Sequence, residues 1–180
     1  SQDLDVVLEA ARLLDRPDGR SEIVWLIVGD GVEKLRLEAK ARKMQLSNVR
    51  FLPMQPRDRY PAVLSASDVC LSTLHAKVRT PVVPSKILSI MAAGRPVVAA
   101  MNLDGDAPRL IAEAQCGLCV PPEDPQALAD AVLKLYHDPA LRGQLGRNGR
   151  RYAEQHLSLN ACVSRYEDLL TYLSTKGGLW

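Results

Sequence analysis

The stretch PSKILSIMAAGRPVVAA, from Pro84 to Ala100, holds a helix and a strand with almost nothing between them. Ile87, Leu88, Met91 and Ala92 recur at helical spacing, Gly94-Arg95-Pro96 stops the helix, and Val97-Val98-Ala99-Ala100 reads as a buried strand. The start of this helix is unusual. Pro84 suits a first turn, where its missing N–H costs little, and the free N–H groups of Ser85, Lys86 and Ile87 are expected to point out of the helix end. The dipole there favours an anion by about 0.3–1 kcal/mol. Lys86 puts a cation where the dipole disfavours one, unless a negative ligand offsets the repulsion. That placement points to an anion site.

Outward from this pair, the same alternation fills the chain. Leu4, Val7, Leu8, Ala11 and Leu14 mark an opening helix, and Glu22 to Val28 is an apolar run of strand length. Gly29-Asp30-Gly31 turns into a charged helix from Val32 to about Gln45. Then come a strand at Val49 to Leu52, a short helix at Asp58 to Ala66 and a strand-like Asp68 to Leu71. A polar loop, Ser72 to Val83, leads into the quoted stretch. Ala107 to Ala114, Gly117 to Val120 and Pro125 to His137 read as helix, strand and helix. The remainder reads as helical, with a break near His156 to Ser158, a terminal helix over 156–175 and a tail over 176–180. Strands alternating with helices imply an α/β domain with a parallel sheet covered on both faces, and strands apolar throughout fit that burial. Such domains usually open on a strand, so a chain opening on a helix is expected to lack its first strand.

Composition narrows the function. The chain has 180 residues, enough for one domain, with 47% hydrophobic and 24% charged residues, as in a soluble globular protein. Aromatic residues are only 4% and the net charge is +2, which argues against a nucleic-acid binder. No apolar run approaches the roughly 20 residues that cross a bilayer, and no signal-peptide pattern is present. Four scattered cysteines suit a reduced cytosolic setting. Cys116 and Cys119 have C-x-x-C spacing, but the segment reads as a strand and no second ligand pair follows, so no metal site is expected.

Ligands of open parallel sheets bind beyond the C-terminal ends of the strands. Three loops qualify: Gly29-Asp30-Gly31, Leu52-Pro53-Met54 and the helix start Pro84-Ser85-Lys86. The first allows close backbone approach, although Asp30 also suits a helix cap. The preceding loop adds His75, Lys77 and Arg79, which read either as a clamp for a diphosphate or as solvated charges.

These residues resemble a family. Val28-Gly-Asp-Gly31, Asn48-Val-Arg-Phe51, Ala66-Ser-Asp-Val69, Pro84-Ser-Lys86, Met91-Ala-Ala-Gly-Arg-Pro-Val-Val98 and Gly117-Leu-Cys-Val-Pro-Pro-Glu-Asp-Pro-Gln-Ala-Leu128 occur in this order. Together they resemble the C-terminal half of family-4, group 1 bacterial glycosyltransferases, from about Leu4 to Leu170. The resemblance implies a GT-B architecture of two Rossmann-like domains, with residues 1–180 as the C-terminal domain that holds the nucleotide-sugar donor, UDP-linked by the family's habit. It implies that Leu52 to Met54 runs beside the nucleobase and that Pro84 to Lys86 receives the phosphates. The family's two glutamates, seven residues apart, align with Pro81 and Ser89, neither acidic. Its lysine-glycine pair has no match near Ser1-Gln2-Asp3.

The expected activity is therefore metal-independent transfer of a sugar in polysaccharide biosynthesis. Lys86 serves as the catalytic residue by offsetting charge on the leaving diphosphate. Gly29, Asp30, Gly31, Leu52, Pro53, Met54, Pro84, Ser85, Lys86 and Ser89 form the donor site. The expected acceptor is a saccharide or lipid-linked molecule gripped by an N-terminal domain of the same protein. The expected location is cytoplasmic, with a peripheral membrane contact through Arg142, Arg147, Arg150 and Arg151 as one option beside a solvated helix face. A sugar-nucleotide epimerase and a non-catalytic nucleotide-binding module stay open as alternatives.

Overall fold

The computed structural model describes residues 2–16, 19–79 and 83–176. Five strands, β1 (Trp25–Val28), β2 (Val49–Leu52), β3 (Cys70–Thr73), β4 (Val97–Ala100) and β5 (Gly117–Val120), alternate with helices. The helices are α1 (Asp5–Leu13), α2 (Lys34–Lys43), α3 (Tyr60–Ala66), α4 (Ser85–Ala92), α5 (Asp106–Glu113), α6 (Pro125–His137) and α7 (Pro139–Tyr152). A π-helical turn over Ala153–Leu157 then leads into α8 (Leu159–Lys176). All strand pairs are parallel.

The strands form two ladders, β1-β2 and β3-β4-β5, where one sheet was expected. A shared core joins them: Trp25 and Val49 from the first ladder meet Val98, Ala100 and Val120 from the second, under α1 and α6. The alternate residues of β4, Val97 and Ala99, enter a second core with Ile87, Ile90 and Met91 of α4 and Ile111 of α5. Helices thus cover both faces of β4, and all four of its residues are fully buried. Each large side chain there contributes about 1.5–3 kcal/mol. The first ladder is less covered. Leu26 is 43% exposed and Val24 58%, so the apolar run from Glu22 is a strand only from Trp25 onward, and β1 is not sealed on both faces.

Local chemistry sets the element ends. Asp124 and Asp138 accept the N–H groups of Ala127 and Leu141, and each is followed by a proline in the first turn, so α6 starts and ends where the sequence places it. Gly94 has φ +67°, and its N–H and that of Arg95 return to the carbonyls of Met91 and Ile90 (2.9 and 3.2 Å). This closes α4 before β4. A Cβ on Gly117 would stand 2.1 Å from the Val97 carbonyl oxygen, so only glycine lets β5 sit this close to β4.

Two further expectations need correction. β3 continues through Ser72 and Thr73, which are buried and pair with Ala99 and Ala100, instead of ending at Leu71. The terminal helix begins at Leu159, after Ser158 turns extended, and runs to Lys176. It leaves Leu159, Tyr166 and Leu170 exposed. No helix among the described residues is long and apolar enough to cross a membrane.

Candidate functional site

Because every strand is parallel, all strand-to-helix loops gather on one edge of the molecule, and the N-terminus of α4 opens onto that same edge. Two groups of expected site residues form there. The first joins the loops after β1 and β2. Gly29 sits at φ +148°, a glycine conformation, and its N–H meets the Leu52 carbonyl at 3.1 Å. Asp30 accepts the Met54 N–H at 2.5 Å through one oxygen and Lys34 Nζ at 2.5 Å through the other. The Lys34 contact, and then the Met54 N–H, hold the Asp30 carboxyl below its ordinary pKa. Asp30 is therefore a tie between two loops as well as a partner for the first turn of α2. Gly31, Leu52, Pro53 and Met54 are exposed around this tie.

The second group is the start of α4. Pro84 precedes the helix in an extended conformation and no side chain caps it. The Ile87 N–H is already used, donating to the Pro84 carbonyl at 2.9 Å, which corrects the expectation of three free donors. The N–H groups of Ser85 and Lys86 keep no acceptor among the described residues. Lys86 is half-buried, and burial pushes its pKa below the ordinary lysine value. No carboxylate among the described residues pairs with it. Ser89 lies one turn on, its hydroxyl directed at the Ser85 carbonyl at 3.4 Å. Pro81 lies outside the described residues.

The loop after β3 carries His75 toward two carboxylates. His75 Nδ1 stands 3.4 Å from Glu123 Oε1 and 3.9 Å from Asp3 Oδ2, while Lys77 and Arg79 are exposed. The three residues come from the segment before α1 and the loops after β3 and β5. Nothing in the sequence links them except that parallel topology puts those segments on one edge. Arg79 also borders an open cavity of 390 Å³ with Asn102, Asp104 and Arg109, beyond the ends of β3 and β4. A larger depression, 480 Å³, lies between α2 and β2, lined by Arg42, Leu46 and Phe51, away from the loops that carry the candidate chemistry.

Cys116 and Cys119 are unpaired thiols, and burial pushes both up to about 11. Thiols that stay protonated are poor nucleophiles and poor ligands, and Cys116 packs in the second core as a small apolar residue.

A model described as glycosyl transferases group 1 matches residues 1–152. The putative colanic acid biosynthesis glycosyl transferase WcaI of Escherichia coli K12 is 33% identical over 159 residues, covering 87% of this chain and 37% of that protein. The chain thus spans little more than a third of that relative. Among solved structures, Alr3699/HepE of Anabaena in complex with UDP-glucose superposes with a TM-score of 0.77 at 22% identity, over 96% of this chain and 46% of that one. The C-terminal domain of the group 1 protein LpcC from Francisella tularensis gives 0.68 at 20%, over 86% and 78%. These likenesses establish an α/β fold of parallel strands and covering helices, shared with part of GT-B glycosyltransferases.

Proposed function

From the premise that this chain belongs to the group 1 glycosyl transferase family, we propose that it holds the nucleotide-diphosphate sugar donor of a glycosyltransferase that builds polysaccharide. The donor is a UDP-sugar, a choice supported by the UDP-glucose bound to the Anabaena neighbour. The acceptor, a saccharide or a lipid-linked one, is gripped by a preceding domain of the same cytoplasmic protein.

The observation that carries this reading is Lys86, a half-buried cation at an uncapped helix start, with no acidic partner among the described residues. A diphosphate laid against the α4 N-terminus meets the free N–H groups of Ser85 and Lys86 and the Lys86 ammonium. In the reaction the bond from the sugar's anomeric carbon to the diphosphate breaks, a bond to the acceptor oxygen forms, and the acceptor's proton is released. Negative charge grows on the diphosphate as it leaves, and donors already fixed in place stabilise it without reorganising. Asp30, by holding the Met54 N–H, sets the path of the loop beside the nucleobase. Ser89 takes the place of an acidic ribose contact. The epimerase alternative has no support from the relatives named above.

The test is sugar transfer by the full-length protein across a panel of UDP-, GDP- and ADP-sugars. The reading expects one donor class to be used and Lys86→Ala to abolish most of the turnover. Hydrolysis or epimerisation without transfer, or full turnover in the variant, contradicts it.

A further inference from the structure

The cluster of Asp3, His75 and Glu123 lies outside the donor site argued above and serves no step of the transfer. We infer that these three residues form a binding site for one divalent transition-metal ion, of which zinc is the representative. Their ligand atoms all lie within 4.8 Å of one another. His75 Nδ1 is 3.4 Å from Glu123 Oε1 and 3.9 Å from Asp3 Oδ2, too far for hydrogen bonds of normal length. The three groups face a common point without satisfying each other. Around a tetrahedral ion with bonds of about 2.0–2.2 Å, neighbouring ligand atoms stand roughly 3.3–3.6 Å apart. The His75–Glu123 spacing already matches that arrangement, and the other two, 3.9 Å and at most 4.8 Å, reach it by closing onto the ion.

Burial supplies the second reason. Asp3 is 5% exposed. Its Oδ1 takes the Val6 N–H at 3.3 Å, and its Oδ2 stands 3.9 Å from the His75 imidazole. A carboxylate removed from water calls for a positive partner, and a divalent ion between three donors supplies one.

The loops that carry the ligands are also tied to one another. Glu123 Oε1, the oxygen nearest His75, accepts the Ala76 N–H at 3.1 Å, which fixes the carboxylate against the loop after β3. The Asn102 amide donates to the carbonyls of Ala76 and Val78, each at 2.9 Å, and the Val78 N–H closes a turn onto the His75 carbonyl. Glu123 itself sits at φ +58°. Unlike Gln45 and Gln115, which share positive φ at helix ends, it stands ahead of a helix, where no cap requires that conformation.

The donor set selects the ion. One imidazole nitrogen and two carboxylate oxygens suit Zn²⁺, Mn²⁺ or Co²⁺ better than Mg²⁺ or Ca²⁺, which prefer oxygen alone. His75 and Glu123 are each about half exposed (47% and 51%), so an ion can enter and a water can fill the fourth position. Bound there, the ion clamps the loop that leads from β3 toward α4 against the loop after β5.

The test uses full-length protein stripped with a chelator and titrated calorimetrically with ZnCl₂. We expect one ion per chain with a dissociation constant in the micromolar range or tighter. His75→Gln and Glu123→Gln should each weaken it by at least about 10-fold, with circular dichroism confirming that both variants fold. MgCl₂ should give no comparable binding. X-ray absorption at the zinc edge should show nitrogen and oxygen neighbours only. Absence of zinc binding, wild-type affinity in either variant, or sulfur neighbours at about 2.3 Å would overturn the assignment.

Discussion

The starts of α2 and α4 make an instructive pair. Both helices follow a parallel strand onto the same edge, and both carry a lysine in the first turn, where the dipole opposes it. At α2 the conflict is resolved within the chain, because Asp30 meets Lys34 at 2.5 Å. At α4 it is left open: Lys86 is half-buried, its pKa is pushed down, and no carboxylate among the described residues answers it. The starts of α6 and α7 show the purely structural solution, an aspartate cap followed by proline. The starts of α2, α6 and α7 thus carry their own anion, whereas the α4 start holds a cation without one, which is the basis for proposing that its anion comes from outside.

The substitution expected to break this contrast most severely is Lys86→Ala. A hydrogen bond to a charged group is worth about 1.5–3 kcal/mol. UDP binding should therefore weaken about 10- to 100-fold, while uridine binding holds and the ligand-free melting temperature does not fall. Equal losses for UDP and uridine would make Lys86 a residue of the fold. Next in size, Asp124→Ala should cost about 1 kcal/mol of stability through the lost cap. Its UDP affinity, read by calorimetry, should stay as in the wild type, and a loss there would erase the distinction between the two kinds of helix start. The smallest effect belongs to Asp30→Ala, which frees both Lys34 and the Met54 N–H. Uridine should bind a few-fold more weakly and pyrophosphate unchanged. A loss confined to pyrophosphate would reverse the roles given to the two loops.

The same contrast explains what the sequence made legible. α6 could be read to the residue because Asp124-Pro125 and Asp138-Pro139 announce both of its limits locally. The close of α4 was equally plain from Gly94-Arg95-Pro96, and β4 from four small apolar residues in a row. β3 is longer than its local sequence suggests, because Ser72 and Thr73 look like loop residues. Their strand character comes from pairing with Ala99 and Ala100, a tertiary fact with no local signature. β1 was drawn too long, and sealed on both faces, because an apolar run does not reveal which face stays uncovered, as the exposure of Leu26 does.

Within the site, Lys86 stood out because its charge contradicts its position. Asp30 is legible in the sequence as a cap, but its bond to Met54 is not, since it joins loops after two different strands. The Ile87 N–H reads as free in the sequence because its return to the Pro84 carbonyl depends on the backbone path at the helix start. Asp3, His75 and Glu123 went unassembled for the strongest reason. Their meeting depends on the whole parallel arrangement, which brings the ends of β3 and β5 and the start of α1 to one edge.

The central claim is that Lys86 is the cation the diphosphate neutralises, and its own titration tests this most directly. In the ligand-free protein, burial holds the Lys86 pKa below 10.5. The fold thus disfavours the charged form, and stability should rise with pH between that lowered value and 10.5. An adjacent diphosphate reverses the sign, because an opposite charge favours the ammonium. Nuclear magnetic resonance of the lysine side chains, titrated with and without saturating UDP, reads both states. The account predicts a depressed Lys86 pKa that climbs on binding UDP and does not move with uridine. A Lys86 pKa unchanged by bound UDP would contradict it.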